Sequence, residues 1–137
     1  MLGGGHVEFS ERLKMEDHVE ALSSGIFQCS GPMFGGSKAN LGSMACLRIS
    51  NISIKVVIGT ERSQNLDQEF FRAVGIEPKE YSIICVKSAI HFIADYNQIT
   101  NNIIFAILPG ATPCELKEIA YTTLRPGLRI AKTRNAN

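Results

Sequence analysis

The sequence predicts an α/β fold, with α+β character, in which one mixed β-sheet carries helices packed on it. Two pairs of short strand-like runs near the N-terminus predict hairpins, because each pair flanks turn residues. Two near-continuous apolar runs come later and are typical of strands buried on both faces. Helical segments with capping residues alternate with those runs. Antiparallel strands therefore come first and strand-helix units last, which predicts a single sheet covered by helices.

The two N-terminal hairpins are predicted from side-chain alternation and turn chemistry. The first begins with a run in which apolar and charged residues alternate, as on a strand with one wet face. The second consists of two runs rich in β-branched residues, which favour strands. The arms and turns are 13–22, Ser23-Ser24-Gly25 and 26–29 for the first hairpin, and 45–49, Ser50-Asn51 and 54–58 for the second. The glycine-rich segment 31–42 between them is predicted to be a long loop.

The second half predicts strand-helix units. Asp67 is expected to N-cap a short helix that ends at Gly75, and Ser88 is expected to cap another that reaches about Asn97. The remaining predicted elements are buried strands over 81–86 and 103–108 and a last helix over 113–120.

Composition and charge exclude several classes of protein. The 137 residues are 45% hydrophobic and 20% charged, which is ordinary for one globular domain. Because 14 Lys and Arg face 13 Asp and Glu, the net charge of +1 favours neither a nucleic acid nor a membrane surface as partner. We expect a domain over residues 1–126 and a flexible tail over 127–137, since a basic terminus is more often solvated than phosphate-binding.

Cysteine usage predicts a reducing environment. Cys29, Cys46, Cys85 and Cys114 show no C-x-x-C spacing, and Cys46 and Cys85 lie in apolar runs where a thiol acts as a small hydrophobe. The chain also shows no apolar stretch of membrane-spanning length and no secretory leader. These patterns predict reduced thiols in a cytoplasmic protein.

The segment 86–92 is the most informative candidate site. A predicted strand ends there and a predicted helix begins, so Lys87 would lie beside unpaired amide groups that attract anions. One interpretation is a carboxylate- or phosphate-binding corner formed by Lys87, Ser88 and His91. The alternative, which the residues alone favour, is an ordinary cap at Ser88, a structural His91 and a solvated Lys87.

Other patterns point to chemistry more weakly. Arg62, after the predicted strand 54–58, is a candidate for carboxylate binding and equally a surface charge. A catalytic triad of Ser88, His91 and Asp95 is disfavoured, because side chains stacked on one helix do not converge end to end. The glycine-rich loop lacks the G-x-x-x-x-G-K-[ST] pattern, and the three histidines lack metal-ligand spacing, so we predict neither a phosphate loop nor a metal site.

Several segments resemble, in order and at compatible spacing, the C-terminal region of the microcystin-degradation MlrC family of zinc metallopeptidases. Residues 64–76 look like that family's Q-x-L-D-x-x-x-F-R-x-x-G-I pattern, and 86–92 look like its V-K-S-S-x-H-F pattern. The other matching segments are Leu2-Gly3-Gly4, Gly31-Pro32-Met33, Asn40-Leu41-Gly42, Pro109-Gly110, Tyr121 and Arg125-Pro126.

The resemblance implies a two-domain enzyme whose zinc ligands lie in a larger N-terminal domain. Zinc is therefore expected in that domain and not in this chain, and this chain is expected to be non-catalytic alone. The implied partners are the zinc domain, a peptide substrate and, through an exposed interface, a second copy of the chain. The resemblance raises the substrate-binding interpretation of Lys87, Ser88 and His91, which would face the zinc domain and its peptide substrate, to the level of the structural alternative. Arg62 stays a candidate substrate-binding residue, and the loop Gly31-Pro32-Met33 is expected to form a domain interface.

The sequence also departs from the family pattern. The family's second serine is replaced by Ala89, and the arginine that usually follows His-Phe is replaced by Ile93. The family's closing R-R-P-x-W-P-L-D becomes Leu124-Arg125-Pro126-Gly127. These departures affect positions that the resemblance assigns to substrate contact and domain docking.

Overall fold

The structure, a computed structural model, describes residues 14–106 and 119–128. Contacts divide the chain into a central unit, Lys14–Ile103, and a unit made of both ends. The strands of the central unit are β1 (Asp17–Ser23), β2 (Ile26–Gln28), β3 (Lys38–Asn40), β4 (Met44–Ile49) and β5 (Lys55–Gly59). Its helices are α1 (Glu69–Arg72), a 3-10 turn (Pro78–Glu80) and α2 (Ile93–Tyr96).

The five strands form two antiparallel sheets. The larger has the order β1-β4-β5, and the smaller pairs β2 with β3. The predicted second hairpin is confirmed as β4 and β5, with Asn51 in the left-handed conformation at its turn. The predicted first hairpin is wrong, because β1 pairs with β4 and β2 pairs with β3 inside the segment predicted to be a loop.

Gly25 explains why β1 and β2 do not fold back on each other. Its φ is +68°, and an added Cβ would overlap the carbonyl oxygen of Gly42. The Ser23 hydroxyl accepts a hydrogen bond from the Gly25 amide at 3.1 Å, and the Leu41 amide donates to the Gly25 carbonyl at 2.9 Å. The chain therefore bends at a close backbone approach and passes from one sheet to the other.

The hydrophobic core is a cluster that includes side chains from β4 of the larger sheet and from α1. Phe70 packs edge-on against Phe27, with ring centroids 5.1 Å apart. The buried members of the cluster are Cys29, Leu41, Met44, Cys46, Phe70, Val74 and Ile76. The opposite sheet face is also apolar, and Val19, Leu22 and Ile58 on it are 59%, 77% and 44% exposed, whereas Leu47 and Ile49 on the central strand are buried.

Helix α1 lies where a helix is predicted, but its N-terminal cap differs. The structure places the cap at Gln68, and the Asp67 carboxylate instead accepts the Glu69 amide at 2.9 Å. The turn that follows α1 ends at Gly75, as predicted, with φ +76°. Helix α2 is shorter than predicted, because it begins at Ile93 and is capped by Phe92 and not by Ser88.

The predicted strand 81–86 is wrong. The segment forms no regular structure, Ile83 is 82% exposed, and Cys85 is exposed where we expected a buried thiol. A short apolar run indicates burial only when a neighbouring strand supplies backbone partners, and none is paired here within the described residues.

Residues 103–106 of the predicted strand 103–108 likewise form no strand, and Ile104 is 92% exposed. The rest of that strand, the predicted helix through residue 118, Cys114 and the tail from residue 129 onward lie outside the described residues. No helix among residues 14–106 and 119–128 is long and apolar enough to cross a membrane.

Candidate functional site

A cleft of about 270 Å³ opens between β3 and the chain that follows β5. We call these the β3 wall (residues 37–41) and the second wall (residues 61–66). Charged and polar side chains are present on both walls, and the floor is apolar. The lining residues are Cys29, Phe34, Ser37, Lys38, Ala39, Asn40, Leu41, Glu61, Arg62, Ser63, Leu66 and Phe70.

Backbone hydrogen bonds hold the two walls together. The Glu61 amide donates to the Leu41 carbonyl at 2.9 Å, which joins the second wall to the end of the β3 wall. The Thr60 amide and hydroxyl both donate to the Ser43 carbonyl, at 3.1 Å and 2.9 Å. At the other end, the Cys29 amide donates to the Ser37 carbonyl at 2.9 Å. The backbone therefore fixes the two walls relative to each other at the Leu41–Glu61 end of the cleft.

Two cations line the cleft, Lys38 on the β3 wall and Arg62 on the second wall. Neither has an ion-pair partner within the described residues. Arg48 and Lys55, in contrast, both bind Glu20 at 2.7 Å. Opposed cations without carboxylate partners make the cleft a favourable place for an anion.

Glu20 and its cations are a structural ion network on the larger sheet. Its hydrogen bond from Lys55, more than that from Arg48, holds the Glu20 pKa below its ordinary value. The same bond raises the pKa of Lys55. Arg48 and Lys55 therefore share one carboxylate partner, whereas Lys38 and Arg62 have none within the described residues.

Beneath the second wall, Gly31 lies between two buried carboxylates. Its amide donates to Asp67 Oδ2 at 2.6 Å, and an added Cβ would lie 2.9 Å from that oxygen and 2.8 Å from Asp95 Cγ. Asp67 and Asp95 are 1% and 4% exposed. Gln68 donates its amide to Asp95 Oδ2 at 2.7 Å, and Gln98 donates its side-chain nitrogen to Asp95 Oδ1 at 3.1 Å.

This arrangement, which we call the Gly31 node (Gly31, Asp67, Gln68 and Asp95), uses all four carboxylate oxygens as acceptors. With the Glu69 amide on Asp67 Oδ1, each oxygen has an N–H donor. Asp95 is thus a structural residue. Because both of its oxygens already accept hydrogen bonds, it does not serve a catalytic triad with Ser88 and His91. The node anchors the start of the glycine-rich loop to the segments that carry α1 and α2.

Cys29 places a thiol at the edge of the cleft floor. It is 6% exposed, and burial, followed by the nearby Asp67 carboxylate, raises its pKa. A thiol that resists deprotonation is a poor nucleophile at neutral pH. Cys29 therefore acts as part of the core and not as a reactive group.

The predicted corner at Lys87, Ser88 and His91 does not have its predicted geometry. No strand ends there, the helix begins five residues after Ser88, and a helix of four residues concentrates little charge at its end. Lys87 and His91 are exposed. Ser88 Oγ is buried and has no hydrogen-bond partner within the described residues. None of the three residues lines the cleft that contains Arg62.

Comparison with known families assigns the chain. The family model of the MlrC C-terminus matches residues 1–123, which is most of the sequence. The chain belongs to this family. The match confirms the resemblance seen in the sequence, and it includes both walls of the cleft and the Gly31 node. A search of the curated proteins gives no match.

In this MlrC C-terminal domain, the described residues do not fit a zinc ion. Among residues 14–106 and 119–128, no three His, Cys, Asp or Glu side chains come close enough together to hold a metal. Asp67 and Asp95, the two carboxylates that approach Gly31, already accept hydrogen bonds on every oxygen. We therefore assign no chemical step of this domain to zinc.

The structure separates the residues that the sequence grouped as substrate-binding. Arg62 lies in the cleft, whereas Lys87, Ser88 and His91 lie outside it. In the loop Gly31-Pro32-Met33, Gly31 is buried in the node, while Pro32 and Met33 are exposed. Lys38 was not singled out from the sequence. The only signal for it was a lysine in a glycine-rich segment, which does not reveal that β3 carries it to Arg62.

Proposed function

We propose that this chain is the substrate-side C-terminal domain of an MlrC-like zinc metallopeptidase and does not hydrolyse peptides by itself. The observation that carries the proposal is the family match over residues 1–123. In this proposal, zinc and the hydrolytic water belong to an N-terminal domain or a separate chain, and the present domain helps to position the peptide.

The cleft supports a substrate-side role. Peptides carry a terminal carboxylate, and Arg62 and Lys38 are cations without ion-pair partners in the described part of the chain. Arg62 can bind a carboxylate through two parallel N–H donors, which gives both charge and orientation. The fixed backbone spacing of the walls lowers the entropy lost when a ligand binds.

A hydrolysis assay tests the proposal. The isolated chain, with and without added zinc, should release no product from short peptides. Addition of a zinc-loaded N-terminal domain from the same family should restore turnover, and Arg62→Gln should raise the KM of that mixture more than it lowers kcat. Zinc-dependent turnover by the isolated chain, or turnover of the mixture that is insensitive to this domain, would overturn it.

A second candidate function is a stand-alone binding module that holds an anion or a peptide carboxylate at Lys87 and Ser88. One observation favours it, the buried Ser88 Oγ without a partner in the described residues, since such a group leaves hydrogen-bonding capacity unused. Titration with phosphate or acetylated peptides, followed through the His91 ring resonances, tests this function. A response at His91 that is lost in Ser88→Ala supports it, and no response at about millimolar ligand, the weak end of specific binding, rejects it.

We further propose that the domain works in the cytoplasm and meets its partner through apolar surface. The described cysteines, Cys29, Cys46 and Cys85, are free thiols, as expected in a reducing compartment. The uncovered face of the larger sheet presents Leu22 and Ile58 to solvent. Two variants test this face, Leu22→Lys and its control Lys79→Leu. Sedimentation measures association of each variant with the zinc domain and with a second copy of the chain. Leu22→Lys should weaken that association, and Lys79→Leu should not.

A further inference from the structure

We infer that the cleft between the β3 wall and the second wall binds the C-terminal carboxylate of a short peptide whose last side chain is apolar. The inference rests on the proposed function for the peptide nature of the ligand. It goes further by assigning the chemical class of the ligand and the residues that recognise each part of it.

Charge supports the carboxylate. Lys38 and Arg62 lie on opposite walls of one cleft, so an anion between them contacts a cation on each side. Arg72, in contrast, has two carboxylate partners, since it binds Glu69 and Glu77, both at 2.8 Å. Lys79 and Lys87 are exposed but do not line the cleft.

Glu61 is the acidic residue of the lining, and its position limits its competition with a ligand. Its amide is bound to the Leu41 carbonyl, and its Cγ lies 3.6 Å from the point where a Cβ on Gly42 would be. The side-chain stem therefore lies over Gly42, at the end of the cleft. Together with Lys38 and Arg62, Glu61 leaves a net charge of +1 among the charged lining residues, which favours one carboxylate and disfavours a dianion.

The floor supports an apolar last side chain. Phe34 is 41% exposed and Leu66 is half-buried, so an apolar group between them would remove existing hydrocarbon surface from water. Phe70, held edge-on against Phe27, closes the floor from below. Apolar lining with a few placed polar groups is the usual composition of a ligand site.

Size limits the ligand to about one residue. Ligand pockets usually measure roughly 300–1,000 Å³, and this cleft, at about 270 Å³, is slightly smaller. It can take a terminal residue with its carboxylate, while the preceding residues of the peptide would extend along the surface.

Titration of the full 137-residue chain by ¹H–¹⁵N NMR tests the inference. The probes are acetyl-Ala-Phe with a free carboxylate, the same peptide with an amide end, acetyl-Ala-Ser with a free carboxylate, and inorganic phosphate. The free-carboxylate Phe peptide should shift the amides of residues 37–41 and 61–66. The Phe peptide with an amide end should bind roughly tenfold more weakly, because a charge-assisted hydrogen bond is lost. The Ser peptide should also bind roughly tenfold more weakly, because less apolar area is buried.

Variants locate the site. Lys38→Gln and Arg62→Gln should each weaken the Phe peptide roughly tenfold, and raised salt should reduce the difference. Lys79→Gln, which removes an exposed cation outside the cleft, is the matched control and should bind like the wild type. Because all three side chains are exposed, the variants are expected to keep the wild-type spectrum.

Several results would overturn the inference. They are equal binding of the amide peptide, binding of phosphate as tight as that of the Phe peptide, and weakening by Lys79→Gln as large as that by Arg62→Gln. Shifts confined to residues 87–91 would also overturn it. Since binding is measured without zinc or a second domain, failure of the hydrolysis test leaves this result unaffected. Absence of peptide binding, with turnover restored by the mixture, would reject the cleft and keep the proposed function.

Discussion

The amide of Gly31 donates a 2.6 Å hydrogen bond to Asp67 Oδ2, 36 residues further along the chain. The same glycine leaves no room for a side chain, because its Cβ would lie 2.8 Å from Asp95 Cγ. One residue without a side chain thus lets two buried carboxylates approach the glycine-rich loop. The β3 wall of the cleft continues from that loop, so its position depends on the node.

Gly31→Ala should destabilise the protein. The added methyl meets atoms of two carboxylates that are held by hydrogen bonds, so the surroundings cannot move without breaking bonds. We expect a loss of about 2–3 kcal/mol in the free energy of unfolding, within the range for overpacked cores. Urea denaturation followed by circular dichroism measures it. Gly59→Ala is the control, because its Cβ meets only ordinary contacts at 3.4–3.6 Å, and equal losses in both variants would refute the close approach at Gly31.

Asp67→Asn should also destabilise the fold. The Asp67 carboxylate accepts amides on both oxygens, from Gly31 and Glu69, whereas an Asn amide can accept on one side only and presents a donor on the other. Leaving one buried amide opposed by a donor costs about 2–3 kcal/mol. Chemical denaturation measures the loss, and Glu61→Gln, at an exposed carboxylate outside the Gly31 node, is the control. A cost no larger than that of the control would show that the two bonds do not matter for stability.

Tyr96 should make stability fall at alkaline pH. Burial raises the Tyr96 pKa above the ordinary value, and the Tyr96 hydroxyl donates a hydrogen bond to Asn65 Oδ1 at 3.0 Å. A raised pKa means that its contribution is fully present below the unfolded value of about 10 and is lost as the pH rises beyond it. Tyr96→Phe should therefore cost about 1 kcal/mol at neutral pH, for the lost hydrogen bond, and should flatten the alkaline decline.

Urea denaturation from about pH 8 to about pH 11, which brackets the unfolded tyrosine pKa, checks this dependence. Burial also raises the pKa of the Cys29 and Cys46 thiols, but both remain in the variant, so the difference between the two curves isolates Tyr96. Tyr121→Phe, at a residue 40% exposed, should leave the wild-type slope unchanged. Identical slopes in wild type and Tyr96→Phe would contradict the assignment.

The two faces of the larger sheet should differ in their sensitivity to truncation. Met44 is 3% exposed and belongs to the core cluster, so Met44→Ala should cost about 2–4 kcal/mol by removing buried atoms and leaving a cavity. Leu22 is 77% exposed, and Leu22→Ala should change stability by about 0.5 kcal/mol or less. Thermal and urea unfolding of both variants measure the loss in the free energy of unfolding. An equal loss for Leu22→Ala and Met44→Ala would mean that the face carrying Leu22 is covered in solution.

Local patterns predicted the elements whose partners lie close by in the sequence. The β4–β5 hairpin needs only two β-branched runs and a turn, and the helix near Phe70 needs only an apolar face and Gly75 after it. The pairing of β1 with β4 could not be predicted in this way. The turn residues at 23–25 show that the chain bends, but which strand it meets depends on the close approach of Gly25 to Gly42.

The difference between local patterns and distant partners also explains the wrong predictions at 81–86 and at Ser88. An apolar run predicts a strand only if another strand offers its backbone groups, and a capping serine predicts a helix only if the following turn forms. Neither condition is met in the described residues, where Ile83 is exposed and α2 begins at Ile93. Arg62 and Lys87, both candidates for substrate binding, lie apart in the sense that Arg62 lines the cleft and Lys87 does not.

By itself the sequence determined the family and the broad α/β character of the fold, but not the division of its strands into two sheets. Family motifs follow one another along the chain, so the family match over residues 1–123 depends on the order of residues alone. Only the tertiary structure decided that Lys38 lies in the cleft with Arg62, and that Gly31 separates Asp67 from Asp95. Those arrangements join residues more than 20 positions apart, and the order of residues along the chain does not specify such distances before packing fixes them.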